Sequence, residues 1–138
     1  MEHWDAERER RVWRRVRGEG EKEDWLPELV RLSRDQAAEL AFVDRELFRQ
    51  ERQTLALLTG LLTLSGGKVP PSGKVLPGNR AQRLRRCRER CGRMLGILVA
   101  MENGSPYGSL FTELTRQQRA KCARLNALAD TQPGGRFD

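Results

Sequence analysis

Three cysteines are the side chains of this sequence with the clearest capacity for chemistry. Cys87 and Cys91 are four residues apart, so on a helix they share one face. Residues 103–106 predict a turn between two antiparallel helices, and that turn places Cys122 level with Cys87. Three converging thiols would bind zinc, whereas a Cys87–Cys122 pair would be sensitive to oxidation. The interpretation we favour is that the cysteines are small buried apolar residues.

Histidine occurs once, at His3, which excludes any catalytic scheme or metal site that needs two histidines from one chain. The sequence also lacks a glycine-rich phosphate-binding loop and a Ser or Cys nucleophile with an available histidine. We therefore expect neither an enzyme of these classes nor a bound cofactor.

Arginine dominates the charge of the chain. Lys and Arg number 26 against 19 Asp and Glu, which gives a formal net charge of +7. Arginines crowd residues 8–17 and residues 80–93, and clustered cations neutralise the phosphates of nucleic acids. Acidic residues interrupt the first cluster, and no set of stacking aromatic residues accompanies either one. A solvated helix face is favoured, and nucleic-acid binding stays an alternative.

The first 24 residues predict a charged amphipathic helix and a Gly- and Glu-rich linker. Trp4 and Trp13 lie on related turns of this helix, where they would anchor it to the rest of the chain or to a protein partner. No stretch of these residues is apolar enough for a secretory signal. The longest apolar stretch, residues 55–64, is about half the length of a membrane-spanning helix. We therefore expect a cytoplasmic protein with reduced thiols.

Apolar residues recur with helical spacing through most of the remaining chain, and no strand-type alternation is found. The predicted fold class is all-α. A length of 138 residues fits one domain, which we place at residues 25–131, followed by a flexible tail at 132–138.

The longest helical pattern covers residues 27–65 and keeps its phase throughout. We predict one continuous or barely kinked helix here, with the polar stretch at 49–54 as its weakest point. The alternative is a pair of short helices that break sharply near residues 49–52, as in a compact monomer. A Pro- and Gly-rich loop follows at 66–79. Two further helices are predicted at 80–102, with Asn79 as the N-terminal cap, and at 107–129.

Several local motifs stand out along these helices. They are Val-Trp-Arg-Arg-Val before a Trp-Leu-Pro-Glu-Leu helix start, Glu51-Arg52-Gln53-Thr54 before a Leu-rich run, Arg90-Cys91 after a Pro-rich crossover, and Pro-Tyr-Gly-Ser-Leu-Phe leading to Gln118-Arg119-Ala120-Lys121-Cys122. Together they resemble the ferritin-like family, in particular its small rubrerythrin-like bacterial branch. The resemblance implies an antiparallel bundle of four helices.

In that family a Glu from each of two helices and a Glu-x-x-His pair from each of the other two hold two metal ions. The resemblance maps the first pair onto Glu51 and Thr54, and the second onto Gln118 and Lys121. Both histidines are therefore replaced, and one replacement is a cation.

For the other two ligands of the family, the resemblance gives more than one possible position in this sequence. The third-helix Glu falls at or next to Arg90, and the first-helix carboxylate is Asp35 or Glu39. At most two of six ligands survive, so the resemblance implies a bundle that has lost di-iron chemistry and acts as a structural or protein-interaction module. The alternative is a metal-binding, ferritin-like oxidoreductase or iron-handling protein that binds iron or zinc at a non-standard site.

Glu51 lies on the apolar stripe of its helix, and a buried carboxylate must be paired or protonated. Arg90 and Lys121, from the same chain or from a second copy, are its candidate partners. A continuous helix over 27–65 would be nearly 60 Å long at about 1.5 Å per residue. Because that length exceeds a compact monomer of this size, we predict a homodimer that completes the bundle.

Overall fold

A computed structural model describes residues 25–73, 75–104 and 108–131. Over these residues the protein is an all-α helical bundle, as the sequence predicts. Its helices are α1 (Trp25–Leu40), α2 (Arg45–Leu64), α3 (Arg80–Gly104) and α4 (Gly108–Thr131). In this part of the chain no helix is long and apolar enough to span a membrane.

The prediction of one continuous helix over 27–65 is wrong, because a turn at residues 41–44 separates α1 from α2. Asp44 causes the new start. Its backbone is extended (φ −156°, ψ 118°), and its carboxylate accepts a hydrogen bond from the Leu47 amide at 2.9 Å. This is the geometry of a helix N-cap. Residues 49–54, the predicted weak point, lie inside α2.

Removing this cap is expected to destabilise the bundle. We expect Asp44→Ala to lower the free energy of unfolding by about 1 kcal/mol, because the first turn of α2 loses a side-chain acceptor. Urea denaturation measures the change. Asp44→Asn is the matched control, since an amide oxygen still caps the helix. Equal stability of the alanine variant and the parent would contradict a role for the cap.

The other boundaries also have local causes. At the end of α2, Gly66 adopts φ 84°, a left-handed conformation that glycine accepts readily. At the start of α3, the Asn79 side chain accepts from the Gln82 amide at 2.8 Å, which confirms the predicted cap.

Contacts between the helices define the topology. Along α3, Arg88 and then Cys91 bond Asn126 and then Gln118 of α4, and Arg86 and then Arg93 bond Glu39 and then Glu28 of α1. Because the residue number of the partner falls as that of α3 rises, α3 is antiparallel to both of these helices. The short turn at 41–44 makes α1 and α2 antiparallel. It follows that α2 and α3 are parallel and that the segment between them crosses the length of the bundle.

Two apolar clusters fill the core, one near each end of the bundle. Leu29, Leu62 and Phe111 belong to the first cluster, and Leu47 and Leu125 belong to the second. Each helix contributes to both clusters. The four helices therefore enclose a core within one chain, and a second chain is not needed to complete it.

Candidate functional site

Polar side chains form a layer between the two apolar clusters. Each of these residues is nearly inaccessible to solvent, and together they come from α1, α2 and α4. The members are Ser33, Gln36, Glu51, Thr54, Thr115, Gln118 and Lys121. Because buried polar groups are costly without partners, the contacts of this polar layer decide what it can do.

Glu51 is the charged centre of the polar layer. The Ser33 hydroxyl donates to Glu51 Oε2 at 2.5 Å, and Lys121 Nζ lies 3.5 Å from Glu51 Oε1. Lys121 also donates to the Thr54 hydroxyl at 2.8 Å, and Thr54 donates in turn to the Gln50 carbonyl at 3.2 Å. The two charges thus neutralise each other inside the core, with neutral hydroxyls completing their hydrogen bonds.

Two cations were candidate partners of Glu51, and the structure places only one of them next to it. Lys121 is its partner, whereas Arg90 donates to Gln36 at 2.7 Å and to Glu39 at 3.1 Å. The prediction of an Arg90 contact is therefore corrected. Arg90 lies at the level of the last turns of α1, and a carboxylate on that helix binds it.

Glu39 lies in a second polar cluster, on the side of the bundle formed by α1 and α3. Arg86 donates to it through two nitrogens at 2.9 and 2.6 Å, and Arg90 contacts its other oxygen. Arg83 Nη1 is 3.9 Å away. The hydrogen bond to Glu39 raises the pKa of Arg86. These three arginines and Glu39 form what we call the Glu39 cluster.

Neither candidate for the first-helix metal ligand contacts Glu51. Glu39 belongs to the Glu39 cluster, and Asp35 lies 3.9 Å from Arg31 in a half-exposed position. The α1 residue that reaches Glu51 is Ser33. Ser33 lies on the same apolar stripe of the sequence as Glu51, and this shared stripe was the available signal for the contact.

The thiols meet differently from the prediction. Cys122 Sγ lies 2.9 Å from Cys91 Sγ, so Cys91 and not Cys87 is its neighbour. The register of α3 against α4 explains the difference. Because α3 continues to Gly104 and α4 begins only at Gly108, the helices pair about one turn further along than expected.

Cys87 lies deeper in the second apolar cluster, where its thiol is fully buried. Burial raises the pKa of Cys87 to about 12. A thiol in this state is a poor nucleophile at neutral pH. Cys87 therefore behaves as the small apolar residue that the sequence favoured.

The residues of the polar layer do not fit a pair of metal ions. Two dications need several carboxylates to balance their charge, and the Lys121 ammonium faces the Glu51 carboxylate across 3.5 Å. Within the described ranges, the structure brings no three His, Cys, Asp or Glu side chains together in a way that could hold a metal ion. The geometry supports an ion pair at this place.

Most of the arginines of α3 bond side chains of the same chain. Besides the three in the Glu39 cluster, Arg93 pairs with Glu28 at 2.5 Å, and Arg88 bonds the Asn126 side chain at 3.0 Å. The carboxylates of Glu39 and Glu28, both on α1, thus partly neutralise the charge of these arginines. This arrangement lowers the cationic field that a nucleic acid would meet along α3.

A groove of about 490 Å³ runs between α2 and α4, which approach each other less closely than the other neighbouring helices. Leu57, Leu110 and Leu114 supply its apolar wall, and Lys121 and Thr54 form its floor. We call this feature the α2–α4 groove. Leu57 is 40% exposed.

The proposed anchor residues Trp4 and Trp13 lie outside the described residues, as do the segments 1–24 and 132–138. The chain matches no protein-family model, no curated protein and no solved structure. The ferritin-like resemblance therefore stays a hypothesis that rests on the sequence motifs.

Proposed function

We propose that this chain is a ferritin-like helical bundle that acts as a structural, protein-interaction module, with an ion pair in place of a di-metal centre. The observation that carries this proposal is the contact between Lys121 Nζ and Glu51 Oε1 in the core. Lys121 stands where the resemblance expects a histidine ligand. A fixed cation at that position neutralises the remaining carboxylate and so performs the electrostatic role of a metal ion without its chemistry.

The topology supports the ferritin-like part of the proposal. Bundles of that type have one long crossover connection, and here the segment 65–79 connects the parallel helices α2 and α3. The four positions that correspond to the two Glu-x-x-His pairs are Glu51, Thr54, Gln118 and Lys121. All four are buried in the polar layer.

The charges argue against the metal-binding alternative. A dication beside Glu51 would also lie close to the Lys121 ammonium, and like charges repel strongly in a buried environment. Thr54 and Gln118 offer neutral oxygens, which bring no negative charge to offset that repulsion.

We infer that the partner is a second copy of this chain, bound at the α2–α4 groove. The chain carries a net charge of +7, so most approaches between two copies are repulsive. The groove is an exception. Its exposed anion, Glu113, pairs with its exposed cation, Arg116, and the rest of its accessible lining is uncharged: three leucines, one alanine and three glutamines. A two-fold axis would place identical grooves face to face, as in most homodimers.

Sedimentation equilibrium of the full chain at micromolar concentration tests this proposal. We expect a mass twice the 15.8 kDa of one chain. Leu57→Asp should yield a monomer, because it places a charge in the apolar wall of the groove. Val75→Asp, an exposed loop position, is the control and should leave the dimer intact. A monomeric parent would contradict self-association, and iron uptake that Glu51→Gln abolishes would favour the metal-binding alternative.

A further inference from the structure

Cys91 and Cys122 are placed for covalent chemistry that the proposed function does not use. They project from α3 and α4, which pack closely, and their sulfur atoms are 2.9 Å apart. A disulfide bond requires about 2.05 Å between the sulfurs. The two sulfur atoms must therefore come closer by less than 1 Å, which side-chain rotation and small helix shifts can supply.

The two thiols differ in solvent exposure and in pKa. Cys122 is partly exposed, whereas Cys91 is 1% exposed. The hydrogen bond shared with Cys91 is the main cause that lowers the pKa of Cys122, and the nearby charges of Lys121 and Arg119 add to the effect. The same contact, together with burial, raises the pKa of Cys91. Cys122 is therefore the more reactive thiol, because the thiolate is the nucleophile.

We propose that Cys122 and Cys91 form a reversible disulfide bond by exchange with a low-molecular-weight disulfide. Cys122 is the attacking residue, since it alone of the two is open to solvent. Cys91 is the resolving residue, since its sulfur already contacts that of Cys122. Cys87 takes no part.

Exchange proceeds in two balanced steps. In the first, the Cys122 thiolate attacks one sulfur of the small disulfide; the S–S bond breaks, and the leaving thiolate takes up a proton. This step leaves a mixed disulfide on Cys122. In the second, Cys91 gives up its proton and attacks Cys122 Sγ, and the second small thiol leaves. Two protein thiols are oxidised, and one small disulfide is reduced to two thiols.

The bond would connect α3 to α4 beside the polar layer. Gln118 Nε2 now donates to both the sulfur and the carbonyl oxygen of Cys91, at 3.0 and 3.1 Å. It keeps the carbonyl acceptor after oxidation, so no buried donor loses its last partner. The cross-link would restrict the unfolded chain between positions 91 and 122, and the oxidised protein should melt at a higher temperature than the reduced protein.

The test uses the reduced full chain and 2-hydroxyethyl disulfide. We expect the intact mass to fall by two hydrogens, peptide mapping to find a Cys91–Cys122 link, and dithiothreitol to reverse the change. Cys91→Ser should accumulate the mixed disulfide on Cys122, and Cys122→Ser should lose the internal link. Cys87→Ser is the control and should form the same link as the parent.

The unmodified parent decides the question even if a variant fails to fold. A mapped link that involves Cys87, or three free thiols after prolonged exposure to the small disulfide, would overturn the proposal. Circular dichroism of each variant shows whether a missing link reflects lost chemistry or lost structure.

Discussion

Replacing Lys121 with methionine is expected to lower the free energy of unfolding by about 3–5 kcal/mol, since it leaves the buried Glu51 carboxylate without a counter-charge. Methionine fills nearly the same volume, so a cavity contributes little to the loss. The Ser33 hydroxyl still donates to Glu51, but one neutral hydrogen bond does not replace an ammonium. Guanidinium denaturation followed by circular dichroism measures the change.

The double variant Glu51→Leu, Lys121→Met separates the ion pair from simple packing. Removing both charges together should restore most of the lost stability, because apolar residues often replace a buried ion pair at little cost. Lys68→Met, on the exposed loop, is the matched control and should have little effect. A Glu51→Leu variant more stable than the parent would show that the pair is not needed for stability, although the bundle itself would stand.

The break between α1 and α2 shows where periodicity is insufficient. Leu40 and Leu47 are seven residues apart and both buried, so the apolar phase continues across the turn as it would in one helix. What starts α2 is a local hydrogen bond from the Leu47 amide to the Asp44 side chain. A pattern of apolar residues carries no information about such a bond. Asp44 ahead of Arg-Glu was the available signal for a new helix start.

The thiol pair shows how register limits prediction. Cys87 and Cys91 occupy the same face of α3, so the sequence predicts that face correctly for both. Which of them meets Cys122 depends on where the connection between α3 and α4 is centred. An error of one helical turn exchanges the two residues, and no local sequence feature corrects it.

The partners of Glu51 and Glu39 also show which features the sequence predicts and which depend on tertiary packing. The apolar stripe was enough to indicate that Glu51 is buried and needs a cation. Two cations qualified by residue type, and only the packing of α4 against α2 selects Lys121. For Glu39, the sequence suggested a metal ligand, whereas three arginines of a helix far along the chain surround it. Contacts of this kind depend on tertiary distance.

Replacing Glu39 with leucine is expected to produce the second largest loss of stability, about 3 kcal/mol, because it removes the anion that binds the Arg83, Arg86 and Arg90 side chains. The Glu39 side chain is only 4% exposed, and the three guanidinium groups would then repel one another. The loss stays below that of a fully buried pair, since these arginines are 14–25% exposed and solvent screens them. Thermal unfolding in low and high salt measures it.

Salt distinguishes this electrostatic cause from a loss of packing. Repulsion among the arginines should weaken as the ionic strength rises, so the difference between Glu39→Leu and the parent should narrow in high salt. A loss of packing would not depend on salt in this way. Glu46→Leu is the control, because its pair with Arg49 is exposed on both sides and contributes little. If both variants unfold at the temperature of the parent, Glu39 does not hold α1 against the arginine-rich face of α3.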